Sequence, residues 1–213
     1  MQRVLIIGAG GQAQVVADIL KCAHNAGKNV IPLGYLDDDP NLVGRTFLGL
    51  PVLGVLAEIA NIPHDALIIA IGNNSTRRRL FEIFRERGEN FVIAVHPAAV
   101  IGAEVSIGIG TMICAGVVIN PGSTIGENVI LNTCCTIDHH NCIGNHVHIA
   151  PGVRLGGEVE IGDGVLVGIG ATVMPRCRVG DWTTVGAGAC VTKSVPAGLT
   201  VVGVPARPLQ RKE

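Results

Sequence analysis

The sequence predicts two units in series, a small α/β unit and an all-β parallel solenoid, and three observations carry that reading. Stepping by six from Ile101 to Val191 meets sixteen branched aliphatics without a break. Glycine supplies 29 of 213 residues with no period of three, and aromatics make up only 3%, which points to tight turns and thin packing layers of Val, Ile, Leu and Ala. Ahead of the repeat, residues 1–96 alternate apolar, strand-like runs with helical spacing.

The N-terminal elements follow in order. Val4-Leu5-Ile6-Ile7 reads as a strand that runs into Gly8-Ala9-Gly10-Gly11, and Val15, Val16, Ile19 and Leu20 then fall at helical intervals. Gly8, Gly10 and Ala13 fit G-x-G-x-x-G/A, a turn that brings backbone N–H groups at a helix start close to a phosphate. A second strand around Val30–Leu36 ends in Asp37-Asp38-Asp39-Pro40, where carboxylates can accept hydrogen bonds from a ribose or a base. A third strand over 66–71 ends in Gly72-Asn73-Asn74, and a helix over about 75–87 stops at Gly88. The triple Arg77-Arg78-Arg79 reads as the solvated start of that helix. The order is Rossmann-like, but a second mononucleotide half is missing. That counts against a dinucleotide and favours a nucleotide attached to something else; a tight turn with no ligand is the alternative. His96-Pro97 hands the chain over, so the expected units are 1–96 and 97–213.

An unbroken period of six matches neither a helix at 3.6 nor a plain strand alternation. It fits a triangular prism in which each hexad forms one face. The aliphatic points inward, and so does the small or β-branched residue four places on, such as Val105, Thr111, Val117 and Ser123. Glycine follows the aliphatic in nine of the sixteen hexads and is expected to relieve the bend. Three hexads close a coil, so about five coils stacked at about 4.8 Å make a column roughly 25 Å tall.

Composition narrows the function. Residues 1–96 hold nine Lys/Arg and nine Asp/Glu, and 97–213 hold seven and eight, so neither part is basic and nucleic-acid binding lacks support. Residues 105–126 carry no charge over a length that could span a bilayer, but Asn120, Pro121 and glycines that include Gly108, Gly110, Gly116 and Gly122 argue against insertion. Met1-Gln2-Arg3 leads straight into a strand rather than a signal peptide, and seven cysteines are an odd number. Both suggest a reducing cytoplasm with the thiols as packing residues.

The combination of a short Rossmann-like unit with a hexapeptide solenoid resembles the sialic-acid O-acetyltransferase and bacillosamine N-acetyltransferase family. The resemblance rests on GAGGQ, LDDD, IAIGNN, the HP junction, ILN followed by IDHHNCIG, and the closing VVGVPARP. It implies a left-handed β-helix, and a homotrimer with active sites between subunits. It also implies acetyl transfer from acetyl-coenzyme A to the amine of a nucleotide-linked 4-amino sugar, with O-acetylation of a sugar such as sialic acid as the alternative. A nucleotide-sensing scaffold with a decayed site is a different class, and the intact site set argues against it.

By the same resemblance, His139 in IDHHNCIG is the general base. Asn132 and His148 are further site residues, and Gly157 offers a backbone N–H to the thioester carbonyl. Gly8, Gly10, Gly11, Asp37, Asp38 and Asn73 match the nucleotide-binding positions. Coenzyme A is expected along the later coils, with Gly186 allowing close approach and Lys193 and Arg207 as phosphate contacts. Many relatives carry an acid directly after the base histidine; here His140 stands there, and Asp138 precedes the base. Histidine suits the chemistry because its unperturbed pKa of about 6.5 lies near operating pH. The oxyanion of the tetrahedral intermediate needs a fixed donor. No metal is expected: some hexapeptide β-helices are zinc carbonic anhydrases, but the nearest histidine pair here, His140 and His146, has the wrong spacing for that site.

Overall fold

The computed structural model describes residues 1–209, in two compact units divided between Pro97 and Ala98. In the N-terminal unit, β1 (Gln2–Ile7) lies parallel to both β2 (Val30–Leu36) and β5 (Ala66–Ile69). The hairpin of β3 (Thr46–Phe47) and β4 (Leu50–Gly54) extends the sheet beyond β2, in the order β3-β4-β2-β1-β5. Val4 to Ile7 are wholly buried, as expected for a central parallel strand covered on both faces. Helix α1 (Gly11–Asn25) buries Ala13, Val16, Ala17, Ile19, Leu20 and Ala23, while Val15 stays exposed. Helix α2 (Asn74–Glu86) packs Leu80, Phe81 and Phe84 against Leu5, Ile7, Leu67 and Ile69. It starts where Asn73 accepts the Thr76 N–H at 2.9 Å, a side-chain cap for an otherwise unpaired donor.

One basic residue departs from the sequence reading. Arg77 is not part of a solvated helix start; it is fully buried, and its guanidinium donates to the Ile71 carbonyl at 3.1 Å. Burial pulls its pKa down to about 9, which still leaves it charged at neutral pH. It braces the loop from β5 to α2 from beneath. Neighbouring Arg78 does lie at the surface, paired with Glu82.

The second unit is built from two-residue strands that pair in parallel with the strand eighteen residues on. Val118 and Ile119 pair with Thr136 and Ile137, Thr124 and Ile125 with Cys142 and Ile143, and Ile130 and Leu131 with His148 and Ile149. Three hexads therefore make one coil, and three faces run along the column. The first face holds Thr136–Ile137 and Arg154–Leu155, the second Cys142–Ile143 and Glu160–Ile161, the third Ile130–Leu131 and His148–Ile149. From Ile113 to Val191 the aliphatics are buried, as are the residues four places on, from Thr111 to Ala189. At the far end the repeat shortens: Thr184 and Val185 pair with Thr200 and Val201, sixteen residues on. Arg207–Pro208 then turns back antiparallel on Val201 and Val202.

The glycine after each aliphatic has a different task from the one expected. The backbone enters the left-handed region three residues after the aliphatic, at Glu104, Cys134, His140 and Trp182 as well as at several glycines. The glycine directly after the aliphatic is needed because the next coil passes too close. A Cβ on Gly168 would lie 2.6 Å from the Ala187 nitrogen and 2.7 Å from the Val185 oxygen. At Gly170, with φ of +65°, open space surrounds the position and only the backbone conformation favours glycine. Gly168→Ala is therefore expected to cost about 2–3 kcal/mol through overpacking. Gly170→Ala should cost about 1 kcal/mol. Denaturant unfolding of the two variants measures the difference.

Candidate active site

The sequence-predicted residues of the solenoid fall on two edges of the prism. Asp138, His139 and Gly157 lie on the edge between the first and second faces, in the turns that follow Thr136–Ile137 and Arg154–Leu155. Asn132 lies on the edge between the third and first faces, and His148 begins a strand of the third face. The structure thus joins the set in two groups rather than one.

The first group is held by buried polar residues that sequence reasoning missed. Asn141 is fully buried; its amide donates to the carbonyls of Asp138 at 2.6 Å and Gly156 at 3.0 Å, while its oxygen accepts the Val159 N–H at 2.9 Å. The Ser123 hydroxyl donates to the same Asp138 carbonyl at 2.9 Å. Asn120, one coil below, donates to the Asp138 carboxylate at 2.8 Å, and that carboxylate also accepts the His139 backbone N–H at 2.8 Å. The Asn120 amide holds the Asp138 carboxyl below its ordinary range, helped by the His139 N–H. A step of eighteen from Asp138 or Ser123 would have found Asn120 and Asn141.

Two exposed rings stand on this edge. The His139 Nδ1 lies 3.1 Å from the His140 Nδ1, with the ring planes at 76°. The opposite side of the His139 ring faces Gly157: a Cβ there would sit 2.6 Å from Nε2 and Cε1. Gly157 is buried against that ring, and its N–H is not among the donors of the coil-to-coil ladder. The ring nitrogen that can take a proton and a backbone donor outside the ladder are therefore next to each other.

In the second group, Asn132 Oδ1 accepts the Thr133 N–H at 2.8 Å, which fixes the amide orientation and turns Nδ2 toward His148 Nε2 at 3.2 Å. The amide thus has a donor to offer to His148 Nε2. His146 turns inward and bonds the buried Asn128 at 2.9 Å.

Toward the end of the column, Lys193 and Arg207 line one cavity of ≈ 350 Å³ with Ser194, Pro196 and Leu199. Gly186 is approached by its own chain: a Cβ there would lie 2.7 Å from Val202 Cγ1. In the N-terminal unit, Asp37 uses its carboxylate to fasten the glycine turn, accepting the N–H of Ala9 at 2.7 Å and of Asp39 at 2.9 Å. Asp38 accepts the Leu56 N–H at 3.0 Å. Gly8 has φ of +103° and packs on the Ala70 carbonyl, whereas no atom would crowd a Cβ on Gly10 or Gly11 at the start of α1. Asn73 serves as the cap of α2.

Residues 3–84 match the model of the PglD N-terminal domain, and residues 158–193 match that of the bacterial transferase hexapeptide (six repeats). The chain is 35% identical to GDP-perosamine N-acetyltransferase of Escherichia coli O157:H7, over 97% of this chain and 96% of that one. Among solved structures, the acetyltransferase domain of PglB from Neisseria gonorrhoeae FA1090 in complex with acetyl coenzyme A superposes with a TM-score of 0.90 at 33% identity, covering 98% of this chain and 99% of that one. PerB from Caulobacter crescentus in complex with CoA and GDP-perosamine gives 0.89 at 35% identity, covering 99% and 98%.

The contact between Gly157 and the His139 ring can be tested alone. Gly157→Ala places a methyl against the end of a movable side chain, so stability should change by less than about 1 kcal/mol, while the His139 ring moves off its position. A crystal structure and an unfolding curve of the variant check the two halves of this expectation.

Proposed function

Because the chain belongs to the hexapeptide-repeat family of GDP-perosamine N-acetyltransferase, we propose that it transfers an acetyl group from acetyl-coenzyme A to the amine of a nucleotide-linked 4-amino sugar. The observation that carries the mechanism is the His139 ring, anchored on one side by Nδ1 and facing Gly157 on the other. The substrate amine attacks the thioester carbonyl as His139 Nε2 takes its proton. Negative charge develops on the carbonyl oxygen, for which the Gly157 N–H is the donor. Collapse of the intermediate breaks the carbon–sulfur bond, and the leaving thiolate takes the proton held on His139 Nε2, which restores the base. No acyl-enzyme forms, so no cysteine is needed as a nucleophile; burial pushes the Cys114 thiol up to about 11 and that of Cys135 higher still.

Asn132 and His148 complete the site with Asp138 and His139, and Asp138 serves to set the turn. Lys193 and Arg207 offer two cations for the phosphates of coenzyme A, and Gly186 is the position of close approach expected on the later coils. Gly8, Gly10, Gly11, Asp37, Asp38 and Asn73 receive the nucleotide, a reading supported by the open helix start and the match to the PglD N-terminal domain. The family resemblance further supports a left-handed column and a homotrimer. Among the described residues no helix is long and apolar enough to cross a membrane. Seven unbridged cysteines and an acetyl-coenzyme A donor favour the cytoplasm.

The trimer gives a reason for the two separate edges: one protomer supplies His139 and its neighbour supplies Asn132 and His148. Mixing His139→Ala with His148→Ala protomers should then restore about one quarter of wild-type turnover, since a random half of each contribution is intact. Equal silence of the mixture and its parents would place all these residues in one protomer's site. The activity itself is read by thiol release from acetyl-coenzyme A against UDP-, GDP- and dTDP-linked 4-amino sugars and sialic acid. One amino sugar should react, and His139→Ala should lower its turnover on the order of 100-fold or more. Release with sialic acid alone would turn the reading to O-acetylation.

A further inference from the structure

The structure assigns to His140 the role of positioning residue for the base: His139 and His140 form a dyad in which the second imidazole takes the place of an orienting carboxylate. This rests on the acetyl-transfer reading of the site. The nearest carboxylate is occupied elsewhere. Asp138 accepts from Asn120 at 2.8 Å and from the His139 backbone at 2.8 Å, and its bonds do not include the His139 ring. The partner of that ring is His140, at 3.1 Å between the two Nδ1 atoms. One nitrogen must donate and the other accept. If His139 is to present a lone pair at Nε2, its proton is on Nδ1, and His140 Nδ1 accepts it with its own proton on Nε2.

The backbone fixes both rings for this bond. His140 occupies the left-handed corner, with φ of 54°, which turns consecutive side chains toward each other. Its ring lies over Gly122, where a Cβ would come within 2.8 Å of His140 Cδ2, while the His139 ring lies over Gly157 on the coil above. A glycine below one ring and another above its neighbour leave space for the pair to meet. The charged groups around the dyad are Asp138 on the same turn and Glu158 at the matching corner of the next coil, where Arg176 pairs with it at 3.3 Å. None of these bonds either ring.

The chemical consequence is a base held by a neutral acceptor. When His139 Nε2 takes the amine proton, its Nδ1–H still points at His140, and the Asp138 carboxylate acts on the imidazolium only through space, without a bond to the ring. The dyad holds one added proton, because two protonated rings at this separation repel and both would need to donate. An acid in place of His140 would make the base hold its proton more tightly and restrict turnover to higher pH.

The test compares His140→Ala and His140→Glu with wild type, following turnover against pH on the amino sugar that reacts. His140→Ala should lose about 10- to 100-fold in kcat with little change in KM for either substrate. His140→Glu should recover most of that loss, with the acidic limb of its profile moved up by about one pH unit. An alanine variant within about twofold of wild type, or a glutamate variant whose acidic limb does not move, overturns the dyad. A readout independent of turnover separates this from failure of the functional reading. In ¹⁵N-histidine-labelled wild type, His139 should appear as the Nδ1–H tautomer and lose that preference in His140→Ala. A His139 protonated on Nε2 in the wild type rejects the assignment even in an active enzyme. If no amino sugar reacts, the tautomer result still stands on its own.

Discussion

The eighteen-residue register is the constraint on which the second unit depends. Each strand is only two residues long, too short to choose a partner by itself, so pairing is decided by the sum of all the inward-facing aliphatics. Once Ile119 sits beneath Ile137 and Ile125 beneath Ile143, every turn residue is placed as well. The buried polar ladder follows the same count: Ser123 reaches Asn141, and Asn141 reaches Val159. Slipping by one residue would put the aliphatics in water and break these bonds together.

That rigidity explains how an exposed turn can hold a catalytic ring. His139 and His140 are at the surface, where side chains usually move, but the carbonyl of the preceding Asp138 receives two hydrogen bonds from buried side chains and its carboxylate clamps the His139 backbone. The turn is fastened from inside the prism and leaves only the ring torsions free. In the N-terminal unit the same principle appears in another form. A carboxylate at the end of β2 ties down the glycine turn at the end of β1, and buried Arg77 braces the loop after β5.

The sequence made the repeat legible because burial repeats every six residues, and it made Val30–Leu36 and the helices legible through spacing. It could not show the role of the glycines: the left-handed corner accepts Glu104, Cys134, His140 and Trp182, so composition there carries no signal. The β3–β4 hairpin went unread because it is short and carries Pro51. Arg77 looked like its surface neighbours, since three consecutive arginines point in different directions around a helix. Asp37 was read only as a nucleotide acceptor, yet part of its bonding capacity serves the fold. His139 was legible through the motif, but its relation to His140 was not, because that depends on a corner torsion and on two glycines in neighbouring coils.

The uniform coil height has a consequence for how such a chain can change in length. Adding or removing one residue within a hexad shifts the inward positions that follow unless a turn absorbs the change, as the last coil does with sixteen residues. A whole coil inserted or lost leaves each remaining residue on the face it had before. Within the regular part of the column, length therefore changes most simply in steps of one coil, which leave the chemistry held at its edges in place.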